Sequence, residues 1–175
     1  MVAAKDIIEA MGLKPLPEEG GFYRETYRSD YGANPARTFG VDADTQRDLC
    51  TAIYYLIHTK SFSAIHRIKA DEIFHFYAGD PVEMFQIDSK GNKSLTKMGS
   101  NVLEGEHPQV IVPRNDWQAL KLVDGESWAL LGTTVAPGFE FEDFEVGSRS
   151  QMLDMFPQHE HDIIKFTREA HEETH

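Results

Sequence analysis

Cysteine is nearly absent from this chain. Cys50 is its one thiol, which excludes an intramolecular disulfide and suits a reducing compartment. No flanking signature recommends Cys50 as a nucleophile, so it is read as structural. Long apolar runs are missing too, and nothing approaches the roughly 20 residues a membrane helix requires. Basic residues are in deficit: 17 Lys and Arg against 29 Asp and Glu leave a formal charge of -12. That charge repels phosphate backbones and anionic lipid, so neither nucleic acid nor membrane is an expected partner. The amino terminus, MVAAKDIIEAMG, has no basic flank, continuous apolar core or small-residue cleavage site, which predicts a cytoplasmic protein. Internal repeats, low-complexity tracts and interdomain linkers are also lacking. The 175 residues therefore suit one domain, 1–175, long enough to sustain a single core.

What is present is a succession of short β-rich runs. Residues 3–12, with Ile7, Ile8 and Met11 on one face and Gly12 at the end, predict a short helix. Pro15 and Pro17 then force an extended path, and GGFYRETYRS from Gly20 alternates aromatic and charged residues as a strand does. From Tyr31 to Arg47 the chain is polar, a loop that serves as a surface excursion or as a lid over a pocket. Strands are then expected in TAIYYLIH, SFSAIHRI, EIFHFYAG, VEMFQIDS, QVIVP, WQALKLV and SWALLGTTVAP, with glycine, Asp80-Pro81 and Asp124-Gly125 punctuating them. This short spacing belongs to an antiparallel sandwich or barrel rather than to strand and helix units. FEFEDFEVG from Phe139 reads as a last strand with one wet face. Beyond Arg149, Met152, Leu153, Met155 and Phe156, then Ile163, Ile164 and Phe166, predict two helices broken at Pro157. The fold class is mainly β, with a barrel core over about 20–146 and a helical tail over about 149–172. His159, His161, His171 and His175 in the acidic tail are read as solvated surface.

The stretch IHRIKADEIFHFYAG, from Ile65, places imidazole and carboxylate groups among Ile, Phe and Tyr. Such groups are costly to bury unless paired, hydrogen-bonded or bound to metal, which makes this the candidate site. Along a strand His66 and Ile68 share one face, and Glu72, Phe74 and Phe76 share another, so adjoining strands can aim His66 and Glu72 into one lumen. His75 and Tyr77 have the opposite parity and face the other side unless a bulge re-aims them. Asp71 is placed in the turn, and Trp117 or Gln118 is expected to enter the cavity.

The cluster resembles the first motif of the cupin superfamily, HxH, three or four residues, E, six residues, G: His66, Ile68, Glu72 and Gly79 fall on those positions, with Ile68 in place of the second histidine. PRNDWQ from Pro113 has the spacing of the second motif, PxGxxH, but Asn115 and Gln118 stand where glycine and histidine are usual. The words GGFYRETYRS, TAIYYLI, FSAIHRIKADEIFHFYAGDPVEMFQI, QVIVPRNDWQAL and TTVAPGFEFEDFE together resemble the Cupin_5 family, from about Gly20 to about Val146. The resemblance implies a double-stranded β-helix, or small jelly-roll barrel, with an internal ligand cavity, usually dimeric and with no established reaction.

Three chemistries fit. Cupin metal sites use three histidines and a glutamate; of these His66 and Glu72 remain, with Gln118 as a weak third donor and His75 as a candidate fourth, so no cofactor is expected and a divalent metal is the alternative. Other cupins include metal-independent sugar-nucleotide epimerases, by analogy with which His66 is the base, Glu72 its partner and Tyr77 or Tyr55 the acid. Arg24, Arg28 or Arg67 could then hold an anionic group, and Phe74, Phe76, His75, Trp117 and Gln118 could contact the ligand. Without catalysis, the same cavity would simply bind a small molecule. The aromatic strand GGFYRETY further predicts a homodimer.

Overall fold

The computed structural model describes residues 2–33, 47–123 and 127–168. Helix α1 (Ala4–Met11) ends at Gly12, whose left-handed φ of 62° lets its N–H cap the Glu9 carbonyl. Strands β1 (Lys14–Pro15), β2 (Phe22–Arg28), β3 (Gly32–Ala33), β4 (Arg47–Asp48) and β5 (Thr51–His58) follow. Next come β6 (Ser63–Arg67), β7 (Asp71–Gly79), β8 (Val82–Ile87) and β9 (Lys93–Met98). Strands β10 (Gln109–Val112), β11 (Trp117–Leu122), β12 (Trp128–Ala136) and β13 (Glu145–Val146) complete the β region. Helices α2 (Arg149–Met155) and α3 (Glu160–Phe166) close the chain, with a 3-10 turn at Pro157–His159 between them.

The strands form two antiparallel layers, in orders β1-β2-β5-β12-β7-β10 and β13-β6-β11-β8-β9, with β3 and β4 paired separately. Strand alternation sorts side chains between two cores. Tyr55, Ile57, Phe74, Met84, Leu120 and Leu131 meet between the layers. Ile65, Phe85, Ile87, Trp117 and Ala119 point from the second layer the other way, where Met152, Ile163 and Phe166 of the two C-terminal helices cover them. The second layer is thus covered on both faces, and the four apolar residues of VEMFQI in β8 are all buried. The C-terminal helices, outside the span of the sequence resemblance, are integral to this packing: Phe166 stacks on Phe85 with centroids 5.3 Å apart.

Two local readings change. Residues 139–144 do not form a strand; Phe141–Asp143 make a 3-10 turn, and pairing resumes only at Glu145–Val146 against β6. The alternation there serves other partners. Phe139 packs edge-on against Phe141 and Phe144, while Glu140 and Asp143 reach Arg28 and Arg47 on other segments. Strand β9 carried no apolar signal because it is a largely exposed edge, held by backbone pairing to β8 over its whole length. The lid-or-loop segment has its ends in the β3–β4 pair, and residues 34–46 lie outside the described residues. In the tail, His159 Nε2 meets the Gly91 carbonyl and His161 is exposed, whereas His171 and His175 lie outside the described residues.

Truncating Phe166 to alanine should lower the unfolding free energy by about 3–5 kcal/mol, as for other buried aromatic truncations. Urea denaturation measures the loss, and a change near zero would contradict helix α3 as part of the core.

Candidate functional site

A cavity of about 300 Å³ opens between the layers, bounded by β2, β5, β7 and β12 on one side, by β6 on the other and by residues 139–144. His66, Ile68, Glu72, Phe74, Tyr55 and Arg28 all line it. His66 is 3% exposed and Glu72 7%. The parity argument therefore places the imidazole and the carboxylate in one enclosed hollow.

Each group is oriented by a neighbour. His66 Nδ1 lies 2.8 Å from the Ala64 carbonyl, which can only accept, so Nδ1 carries a proton and Nε2 is the ring nitrogen left facing Glu19. Glu72 Oε2 accepts from Gln118 Nε2 at 2.6 Å, and register pairs Gln118 with His66 across β11 and β6. Burial raises the Glu72 pKa above the usual carboxylate range, and the Glu19 charge raises it further against the lowering effects of His66, Gln118 and Thr133. Tyr55, fully enclosed, donates to the Gly20 carbonyl at 2.8 Å; burial and then the Glu19 charge push its pKa well up, so the phenol stays neutral.

The residue that sequence reasoning missed is Glu19. It sits in the turn PEEGG yet is only 8% exposed, with Oε1 accepting from Ser63 Oγ at 2.7 Å and Oε2 3.8 Å from His66 Nε2. The following glycines make this placement sterically possible. Gly20 has φ 98°, and a Cβ there would lie 2.5 Å from the Phe62 carbonyl; Gly21 has φ 76°, with a Cβ 2.7 Å from Tyr55 Oη. Arg168, 149 residues away, donates to the Glu19 carbonyl and holds the turn against the start of β6. The glycine pair was the available signal, and it marks a close backbone approach as well as a turn.

Several predicted residues lie elsewhere. Tyr77 and His75 occupy the outer face of the first layer: Tyr77 is 52% exposed over Gly132, and His75 stacks on Tyr77 between Gln109 and Thr134. Tyr77 is skipped by a register shift against β12, but that bulge does not bring it inward. Phe76 packs on the core between the layers, and Trp117 belongs to the helix-side core. Arg67 lies over Trp117 and pairs with Glu145 at 2.7 Å. Arg24 lies over Tyr54 on the outer face, whereas a bulge at Thr26 turns Arg28 to the Glu25 side, at the cavity mouth.

The same geometry tests the metal alternative. Among the described residues no group of three or more His, Cys, Asp or Glu is disposed to hold a metal ion. Gln118 turns its amide nitrogen toward Glu72, Ile68 supplies no donor, and His75 is on the other face of its sheet. The residues present do not fit a transition-metal site.

Residues 5–147 match Cupin_5, described as Cupin superfamily (DUF985). Protein SO0799 from Shewanella oneidensis is similar in structure at TM-score 0.85 and 34% identity, covering 96% of this chain and 99% of that one. A hypothetical protein from Leishmania major superimposes at TM-score 0.85 with 28% identity, covering 96% of this chain and all (100%) of that one. The uncharacterized protein YML079W of Saccharomyces cerevisiae is 29% identical over 132 residues, which are 71% of this chain and 66%, just under two thirds, of the yeast protein. With the family match spanning the two layers and the cavity between them, this chain belongs to the Cupin_5 family of the cupin superfamily.

Proposed function

We propose that the cavity binds a modest carbohydrate-like carbonyl compound and epimerises or isomerises it by metal-independent proton transfer. The observation that carries this reading is the pairing, in one cavity, of a buried imidazole oriented through Nδ1 by the Ala64 carbonyl with a carboxyl group whose pKa burial raises. His66 Nε2 takes the proton from the carbon beside the carbonyl, the electron pair moves toward oxygen, and Glu72 delivers its proton there to give an enol. Reprotonation at carbon, with the oxygen-bound proton returned to Glu72, completes an epimerisation with no net oxidation. Apolar walls strengthen both interactions by excluding water. Glu72 thus takes the acid role, because Tyr77 is outside the cavity and the Tyr55 hydroxyl is committed to the Gly20 carbonyl.

Size narrows the ligand. At about 30 Å³ per water, the cavity holds about ten waters' volume, enough for one sugar-sized ring. A sugar nucleotide would leave its nucleotide outside the mouth.

Hexoses, aminohexoses and hexose phosphates incubated with the protein in heavy water test the chemistry. Solvent deuterium should appear at one carbon, and His66→Ala should slow this by at least about 100-fold while ligand binding persists. Exchange unchanged in His66→Ala would overturn the assignment of the base.

Stability against pH tests Glu72 separately. With its folded pKa raised above the ordinary 4.5, the folded state holds a proton that the unfolded state has lost. Stability from this group is therefore full below that ordinary value and declines as pH rises through the folded pKa. Glu72→Gln should remove that decline, so the variant gains on the wild type in urea denaturation as pH rises above the ordinary carboxylate range. Parallel profiles would show that Glu72 is not a buried, raised carboxyl.

A further inference from the structure

The cavity is rich in hydrogen-bond acceptors and short of donors. Four Glu side chains line it, Glu19, Glu25, Glu72 and Glu140, of which Glu72 carries the proton in the reading above, against one guanidinium, Arg28, among the described residues. Arg28 has no donor to spare. Its Nε and Nη2 reach Glu25 at 3.1 and 2.9 Å, its Nη1 reaches Asp48 and Glu140 at 2.8 Å each, and its Nη2 also reaches the Phe139 carbonyl at 3.1 Å. Those contacts engage all five of its N–H groups. Arg24 and Arg67, the other expected anion anchors, do not line the cavity. A phosphate or carboxylate on the ligand would meet the buried Glu19 and, among the described residues, no free cation.

At the deep end the imbalance is sharper. Glu19 Oε2 and His66 Nε2 stand 3.8 Å apart, too far for a direct hydrogen bond, and both are acceptors while the ring is neutral. Gln118, expected as a candidate cavity residue, does not line the cavity; its Nε2 reaches Glu72, and its buried Oε1 has no hydrogen-bond partner. Glu19 accepts from Ser63 Oγ and has the Tyr55 hydroxyl beside it, both neutral groups, and a buried carboxylate with neutral partners favours a cation beside it.

Taking the acid–base reading of the same cavity as the starting point, we infer that its substrate carries a protonated amine, which Glu19 holds beside His66. An ammonium is a donor-only group with three N–H bonds and suits a pocket lined by acceptors. Held by Glu19 next to Nε2, it also acidifies the neighbouring C–H by its charge, placing the proton to be moved beside the base. Amino sugars and related amino-carbonyl compounds have this arrangement; hexose phosphates do not. Glu19 is here a binding residue, and its carboxylate sets the class of ligand admitted.

Two matched series on the full chain test this: glucosamine, glucose and glucose 6-phosphate, and ethanolamine, ethylene glycol and glycolate, each at up to about 10 mM in thermal-shift and calorimetric titrations. The amine should bind at least about tenfold more tightly than its neutral match, with no shift from the anion, and Glu19→Gln should remove about tenfold of the amine's affinity. The wild-type ranking stands independently if Glu19→Gln fails to fold. An anion binding as well as the amine, amine affinity undiminished in Glu19→Gln, or no shift from either amine would overturn the inference. Selective amine binding without deuterium exchange would sink the catalytic reading alone; exchange confined to neutral or anionic sugars would sink this inference alone.

Discussion

Keeping two carboxylates and an imidazole out of water is the constraint around which the rest of the molecule is arranged. Each would be costly to bury alone. Each is therefore matched by a nearby group: Ser63 for Glu19, Gln118 for Glu72, and the Ala64 carbonyl of its own strand for His66. The partner of Glu72 depends on strand register. Gln118 lies opposite His66 on one side and Gln86 on the other, and Glu72 lies between Val112 and Val135. A one-residue slip would send Glu72 to the outer face of its sheet, and the site would vanish with no change in composition.

The two walls of the cavity differ in how their layers are covered. The layer bearing His66 and Gln118 is packed on both faces, by the opposite sheet and by helices α2 and α3. The layer bearing Glu72 has a solvent-facing outer surface, where Tyr77, His75 and Tyr54 stack among themselves. Its aim at the mouth is set by one irregularity. The bulge at Thr26, whose hydroxyl donates to the Ala52 carbonyl, puts Glu25 and Arg28 on the same side despite their odd separation. Arg28 then ties β2 to β4 and to Glu140, while Arg47 pairs with Glu142 and Asp143, so residues 139–144 are held over the cavity by ion pairs on both flanks.

What was legible in the sequence is what depends on period-two alternation and punctuation. The inward set Glu72, Phe74 and Phe76, the outward set His75 and Tyr77, and the helix break at Pro157 are all local consequences of strand or helix geometry. Glu19 was not legible because its burial is non-local: it exists only when the PEEGG turn docks on β6 and Arg168 reaches back across the chain. Arg28 could not be told from Arg24 for a similar reason, since they have equal parity until the Thr26 bulge separates them. The 139–144 segment imitated a strand because its carboxylates and phenylalanines also alternate between two environments, ion pairs on one side and the cavity on the other.

The two departures from the usual cupin motifs act in the same direction. Ile68, 5% exposed, packs with Ala70, Val135, Phe139 and Phe144 where a second histidine would otherwise bring a polar nitrogen. Phe144 also lies against His66, with ring centroids 5.2 Å apart. An apolar wall at that point removes a donor that could compensate a carboxylate and deepens the desolvation of Glu72. Gln118, in place of a third histidine, can stabilise Glu72 through one neutral hydrogen bond without contributing charge. The residues that weaken a metal site are therefore also the ones that leave Glu72 in surroundings whose burial raises its pKa.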